Sequence, residues 1–114
     1  SLLAKLATGS PTAVPAQAAL DMATVGGAAV LGLQDRIGSI QPGRRADLIL
    51  VSTASARQTP LYDAVSHLVY TSRGDDVRTT VVNGKVLMRD RRVLTLNEAQ
   101  VLGEARALAQ KVRD

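Results

Sequence analysis

The pattern of apolar and polar positions divides the chain into a helical beginning, a β-prone middle and a helical end. Leu2, Leu3 and Leu6 recur at helical spacing and stop at Thr8-Gly9-Ser10-Pro11, residues that favour a loop. Pro15 suits the first turn of a helix, because its missing N–H would have no intrahelical partner there. Ala18, Leu20, Met22 and Ala23 follow as helix formers. Two adjacent glycines, Gly26 and Gly27, each cost about 1 kcal/mol relative to alanine in a helix interior. The pattern therefore predicts a break near Ala23, with Thr24 capping a second short helix that runs through Leu31 and ends at Gly32.

From Ile37 the period changes. Ile37-Gly38-Ser39-Ile40 reads as a short extended piece and Pro42-Gly43 as a turn. Asp47-Leu48-Ile49-Leu50-Val51 reads as a strand, its four consecutive apolar residues implying burial on both faces. The polar stretch 53–60 reads as a surface connection, and Tyr62 to Tyr70 fits either a short helix or a strand. Val81-Val82 and Lys85-Val86-Leu87 flank Asn83-Gly84, whose residues tolerate the positive φ of a type I′ turn, so a hairpin is expected there. After a polar turn at Arg89 to Arg92, Thr95 and Glu98 have capping-box spacing. Leu102, Ala105, Leu108, Ala109 and Val112 then form one apolar stripe of a closing amphipathic helix.

At 114 residues the chain fits one small domain. It is too short for a complete eight-stranded α/β barrel, which takes about 250 residues. Tyr62 and Tyr70 are the only aromatic residues, so its core must be aliphatic. No run approaches the roughly 18 apolar residues of a membrane span, and the first residues do not read as a secretion signal, so a soluble, cytoplasmic protein without membrane partners is expected. The absence of cysteine excludes disulfides, thiolate catalysis and cysteine-based zinc sites. The net charge of +4 is dispersed, with no aromatic residues interleaved for base stacking, so no nucleic-acid partner is expected.

The residues that could carry chemistry are few. His67 is the only histidine, so one copy of the chain cannot build a site of several imidazoles. Its place between Ser66 and Leu68-Val69-Tyr70 favours a structural, hydrogen-bonded role over that of a general base. Asp75-Asp76 could be a paired-carboxylate site, but neighbouring side chains diverge and Arg73-Gly74-Asp75-Asp76 suits a turn. Asp47, after Arg44-Arg45, is expected to pair with an arginine or accept a backbone hydrogen bond. Gly26-Gly27 follows a helix rather than a strand, and no Gly-Lys-Ser/Thr or Gly-x-Ser-x-Gly signature occurs.

Taken together, AALDMATVGGAAVLGL (18–33), IGSIQPGRRADLILV (37–51), SHLVY (66–70) and VVNGKVLMRD (81–90) resemble the C-terminal region of amidohydrolase-superfamily enzymes. SHLVY, VVNGKV and the TLNEA helix start look closest to the branch of methylthioadenosine/S-adenosylhomocysteine deaminases, guanine deaminases and triazine hydrolases. The resemblance implies an α+β fold. Residues 1–33 would be the last helices of a truncated α/β barrel, 34–94 part of a small β-sandwich with its hairpin at Asn83-Gly84, and 95–114 a helix that packs back on either.

In such enzymes a metal-activated water attacks a ring carbon and ammonia leaves, the metal being held by a His-x-His pair, further histidines and an aspartate. No position here matches those motifs, so no catalytic, cofactor-binding or metal residue is assigned to this chain, and zinc or another divalent metal is expected only in a full-length parent. The expected role is a C-terminal scaffold of a metal-dependent hydrolase or deaminase acting on C–N bonds of a nucleobase, nucleoside or triazine, inactive alone. The alternative is a stand-alone self-association or partner-binding domain. The expected partner is a second copy, through an exposed sheet edge, or the missing barrel portion.

Overall fold

The computed structural model describes residues 1–113; the last residue of the expected closing helix, Asp114, lies outside the described residues. Among the described residues, five α-helices, three short π or 3₁₀ turns and four strands give an α+β chain. The leucine-rich opening forms α1 (Leu2–Thr8), closed by Gly9 in the left-handed conformation. Pro15 stands one position earlier than expected, as the N-cap of α2 (Ala16–Asp21), and its carbonyl accepts the Ala19 N–H at 3.0 Å.

The expected break near Ala23 does not occur. A π-helical turn, Met22–Gly26, joins α2 directly to α3 (Gly27–Val30), and Gly26 and Gly27 keep right-handed helical backbones. Thr24 is no cap: its hydroxyl donates to the carbonyl of Leu20, one turn back, at 2.7 Å. At Gly26 a neighbour approaches closely. A Cβ on Gly26 would lie 3.1 Å from the Asp21 carbonyl oxygen. The helix then ends as expected, with Gly32 at φ 67°.

Ile37 to Ile40 is a bend rather than an extended piece. The reason is Gly38, whose φ of 89° brings its bare backbone against the π turn; a Cβ there would lie 2.9 Å from the Ala28 Cβ and 3.0 Å from the Thr24 oxygen. Ala28, at that contact, is 2% exposed, the one fully buried apolar residue among those described. The guanidinium of Arg44 fixes the following loop, donating to the carbonyls of Gln34 and Ile37.

The strands β1 (Leu48–Val51), β2 (Val77–Val82), β3 (Lys85–Arg89) and β4 (Arg92–Val93) form one antiparallel sheet in sequence order. Leu48 pairs with Val81 and Ile49 with Thr80, leaving the far side of β1 as a free edge. The expected double-sided burial of β1 fails, since Ile49 and Leu50, on opposite faces, are both more than half exposed. No second layer among the described residues lies over both faces.

Asn83 and Gly84 have φ of 50° and 77°, the expected type I′ hairpin turn between β2 and β3. The polar turn that follows is itself a hairpin turn, with Asp90 and Arg91 at φ 47° and 68° leading into β4. Tyr62 to Tyr70 resolves as a helix, α4 (Ala64–Tyr70), because Asp63 caps it by accepting the Ser66 N–H at 2.6 Å. The closing helix α5 (Glu98–Arg113) begins later than its expected capping box at Thr95. Asn97 is the cap, accepting the Gln100 N–H at 3.2 Å, while Thr95 lies in a bend. Every residue of α5 is exposed.

Candidate functional site

The polar residues that the fold buries converge between β1, α4 and the start of β2. The stretch 53–60, expected to be a surface connection, contains a 3₁₀ turn (Ala56–Gln58) that carries Gln58 inward until it is 0% exposed. A second 3₁₀ turn (Gly74–Asp76) does the same for Asp76, 5% exposed. Gln58 Nε2 donates to Ser72 Oγ at 2.9 Å and to Asp76 Oδ2 at 3.2 Å. With its amide nitrogen committed to those acceptors, Gln58 Oε1 faces His67 Nδ1 at 3.3 Å. That carbonyl can only accept, so the His67 Nδ1–H is the donor of this contact.

The Asp75-Asp76 pair divides as its turn requires. Asp75 points to solvent while Asp76 is buried, and one guanidinium serves both: Arg57 Nη2 lies 2.6 Å from Asp76 Oδ1 and 3.2 Å from Asp75 Oδ1. Asp76 Oδ2 also accepts the Arg73 N–H at 2.8 Å. The Arg73 N–H, followed by the Arg57 guanidinium, holds the Asp76 carboxyl below the usual carboxylate range. In return the hydrogen bond to Asp76 raises Arg57. At the head of α4, the Ser66 hydroxyl and N–H lower Asp63.

Such a network positions elements. It ties α4 through His67, the 53–60 connection through Gln58, and the entry to β2 through Asp76, whose own carbonyl accepts the Ser52 N–H at 2.8 Å. Nothing in it pairs a nucleophile with a base. Asp47 stands apart and accepts the backbone N–H of Asn83, one of its two expected roles, so that it pins the hairpin turn beside the Gly84 N–H bond to the Ala46 carbonyl.

A cleft of about 530 Å³ lies between the π turn, the Gly38 bend, β1 and α4, lined by Thr24, Ala28, Leu31, Ile37, Ile49 and Leu68 among others, with Asp47 the one charged residue on its wall. Its chemistry is that of a packing surface. The sequence reading missed Gln58 and Arg57 altogether; the only signal was a glutamine following an arginine in an otherwise small-residue stretch.

The segments that build this region, from α1 to β3, coincide with the match to a known family, described as the amidohydrolase family, which covers residues 1–87. The chain belongs to the amidohydrolase family. It is 48% identical to a 5'-deoxyadenosine deaminase of Methanosarcina acetivorans over 98% of its own length but only 26% of that protein's. A 5-methylthioadenosine/S-adenosylhomocysteine deaminase of Syntrophobacter fumaroxidans is 46% identical over 97% of this chain and 25% of its own. The crystal structure of an adenosine deaminase from Xanthomonas campestris with bound zinc superposes with a TM-score of 0.89 at 34% identity, again over 98% of this chain and 26% of that one. The chain thus spans about a quarter of the length of the amidohydrolase relatives it matches.

Zinc does not fit the residues present. Among the described residues no three His, Asp or Glu side chains come together as a metal-binding group, and His67 is directed at Gln58. No helix among the described residues is long and apolar enough to cross a membrane.

Proposed function

We propose that this chain is the C-terminal scaffold portion of a metal-dependent aminohydrolase that removes the amino group of an adenosine-type nucleoside. In this reading residues 1–33 are the last helices of the catalytic barrel, 34–94 one part of a small β-sandwich and 95–114 a closing helix. None of its residues is catalytic, cofactor-binding or metal-binding, and the chain alone is inactive. The observation that carries the reading is the 48% identity to a 5'-deoxyadenosine deaminase across nearly the whole chain but a quarter of that enzyme. Its bare apolar surfaces on β1, α1 and the α2–α3 helix support it, because the remaining three quarters of an amidohydrolase would cover them.

The test is complementation. The 114-residue chain is co-expressed with the portion of the Methanosarcina acetivorans deaminase that it does not match, and zinc content and adenosine deamination are measured on each piece and on the pair. Zinc and turnover are expected in the pair alone. Stoichiometric zinc with turnover from the purified 12.0 kDa chain would overturn the reading.

A further inference from the structure

We propose that Asn83 is a deamidation site that the fold holds closed, with the backbone amide of Gly84 as its nucleophile. In the reaction the Gly84 nitrogen gives up its proton and attacks the carbonyl carbon of the Asn83 side chain. The new C–N bond closes a succinimide ring, and the side-chain nitrogen takes up a proton and leaves as ammonia. One water then opens the ring at either carbonyl, giving aspartate or isoaspartate at position 83. Glycine makes this attack easiest because no Cβ crowds its nitrogen, and Asn83-Gly84 is the only Asn-Gly pair in the chain.

Both turn residues are clamped from outside the hairpin. In a two-residue turn only the flanking residues, here Val82 and Lys85, pair with one another, so the two turn amides have no partner within the hairpin. They find partners on the segment that enters β1. The Gly84 N–H donates to the Ala46 carbonyl at 3.0 Å, and the Asn83 N–H donates to an Asp47 carboxylate oxygen. The first bond occupies the attacking nitrogen and keeps its proton in place. Together they fix the peptide between Asn83 and Gly84, which must rotate about the Asn83 Cα–C bond before nitrogen and side chain can meet. Deamidation thus waits on opening of the clamp, and its products keep the clamp open. A carboxylate at position 83 repels that of Asp47, and isoaspartate adds a backbone atom to a turn built for two residues.

This site stands apart from the proposed enzymatic role, and its test needs no activity. The 114-residue chain is aged in mildly alkaline buffer with and without guanidinium chloride. Asn83 is followed by mass on the tryptic peptide Thr79–Lys85, with aspartate and isoaspartate separated by chromatography. Asn97, followed by the bulkier Glu98, serves as internal reference. Asn83 should convert about tenfold more slowly in the native chain than in denaturant, since two hydrogen bonds must open first. Asp47→Ala removes one of those bonds and should convert about threefold faster than the parent in native buffer. Asp47→Asn keeps an oxygen acceptor for the Asn83 N–H and should stay at the parent's rate. Far-UV circular dichroism checks that each variant is folded; if alanine unfolds the chain, the denaturant comparison and Asp47→Asn still decide. Equal conversion with and without denaturant would overturn the proposal. So would a folded Asp47→Ala chain as slow as the parent, or an Asp47→Asn chain as fast as Asp47→Ala, which would assign the protection to charge.

Discussion

Gln58 is the residue on which the buried polar network turns, since it alone touches His67, Ser72 and Asp76. Gln58→Leu keeps much of its volume but strands the groups it satisfied. Leaving buried polar groups unpaired costs about 1–3 kcal/mol, so the midpoint of thermal unfolding should fall clearly, by several degrees. An unchanged midpoint would show that water replaces the amide.

Asp76 governs a pH dependence instead. Its carboxyl is held below the ordinary value of 3.8, so its contribution is complete above that value and is lost as pH falls through the lower folded value. Asp63, lowered as well, acts in the same direction. Stability should therefore drop in acid below about pH 4, and Asp76→Asn should flatten that limb in a urea-unfolding series against pH. A limb as steep as the parent's would remove Asp76 from the account. For Asp47 a backbone hydrogen bond was one of two roles legible in sequence, but its partner, the Asn83 N–H 36 positions away, was not. The role of Gln58 was not legible, because its partners lie 9 to 18 positions away and a polar residue carries no mark of burial.

Among elements, those whose geometry a local residue demands were readable, and those made by packing were not. The Asn83-Gly84 hairpin followed from two residues suited to positive φ, whereas at Arg89 to Arg92 a polar turn was legible but its hairpin geometry and β4 were not, because arginine gives no such signal. The unbroken helix through Gly26-Gly27 defied its propensity because Gly38 packs against the π turn, a contact between segments that no local window contains. That contact makes a specific demand. Gly38→Ala places a Cβ 2.9 Å from the Ala28 Cβ at a φ of 89°, so clash and backbone strain add. The expected loss is about 2–4 kcal/mol. Gly43→Ala, also at positive φ but with open space around its Cβ, should lose only the strain part. Equal losses in urea unfolding would show that the close approach contributes nothing.

For the whole molecule, the surface decides between a self-sufficient domain and a part. A compact protein of 12.0 kDa exposes about 6,000 Å². This chain exposes 8567 Å² and has a radius of gyration of 18.5 Å, where a compact chain of its length has roughly 13 Å. Measured against its unfolded surface, folding removes only about half, less than even a 60-residue domain achieves. Fold class followed from the helical ends and β-prone middle together with the family resemblance; this openness did not, because apolar residues look the same in sequence whether or not their cover is present.

The urea m-value reports the same surface, since it scales with area exposed on unfolding. It should be roughly three quarters of that of a compact 114-residue domain. Adding the uncovered portion of the deaminase should raise the chain's m-value toward the compact figure as the bare faces of β1 and the α2–α3 helix are covered. A full-sized m-value from the isolated chain would mean that it closes on itself in solution, and the argument for a missing cover would fail with it.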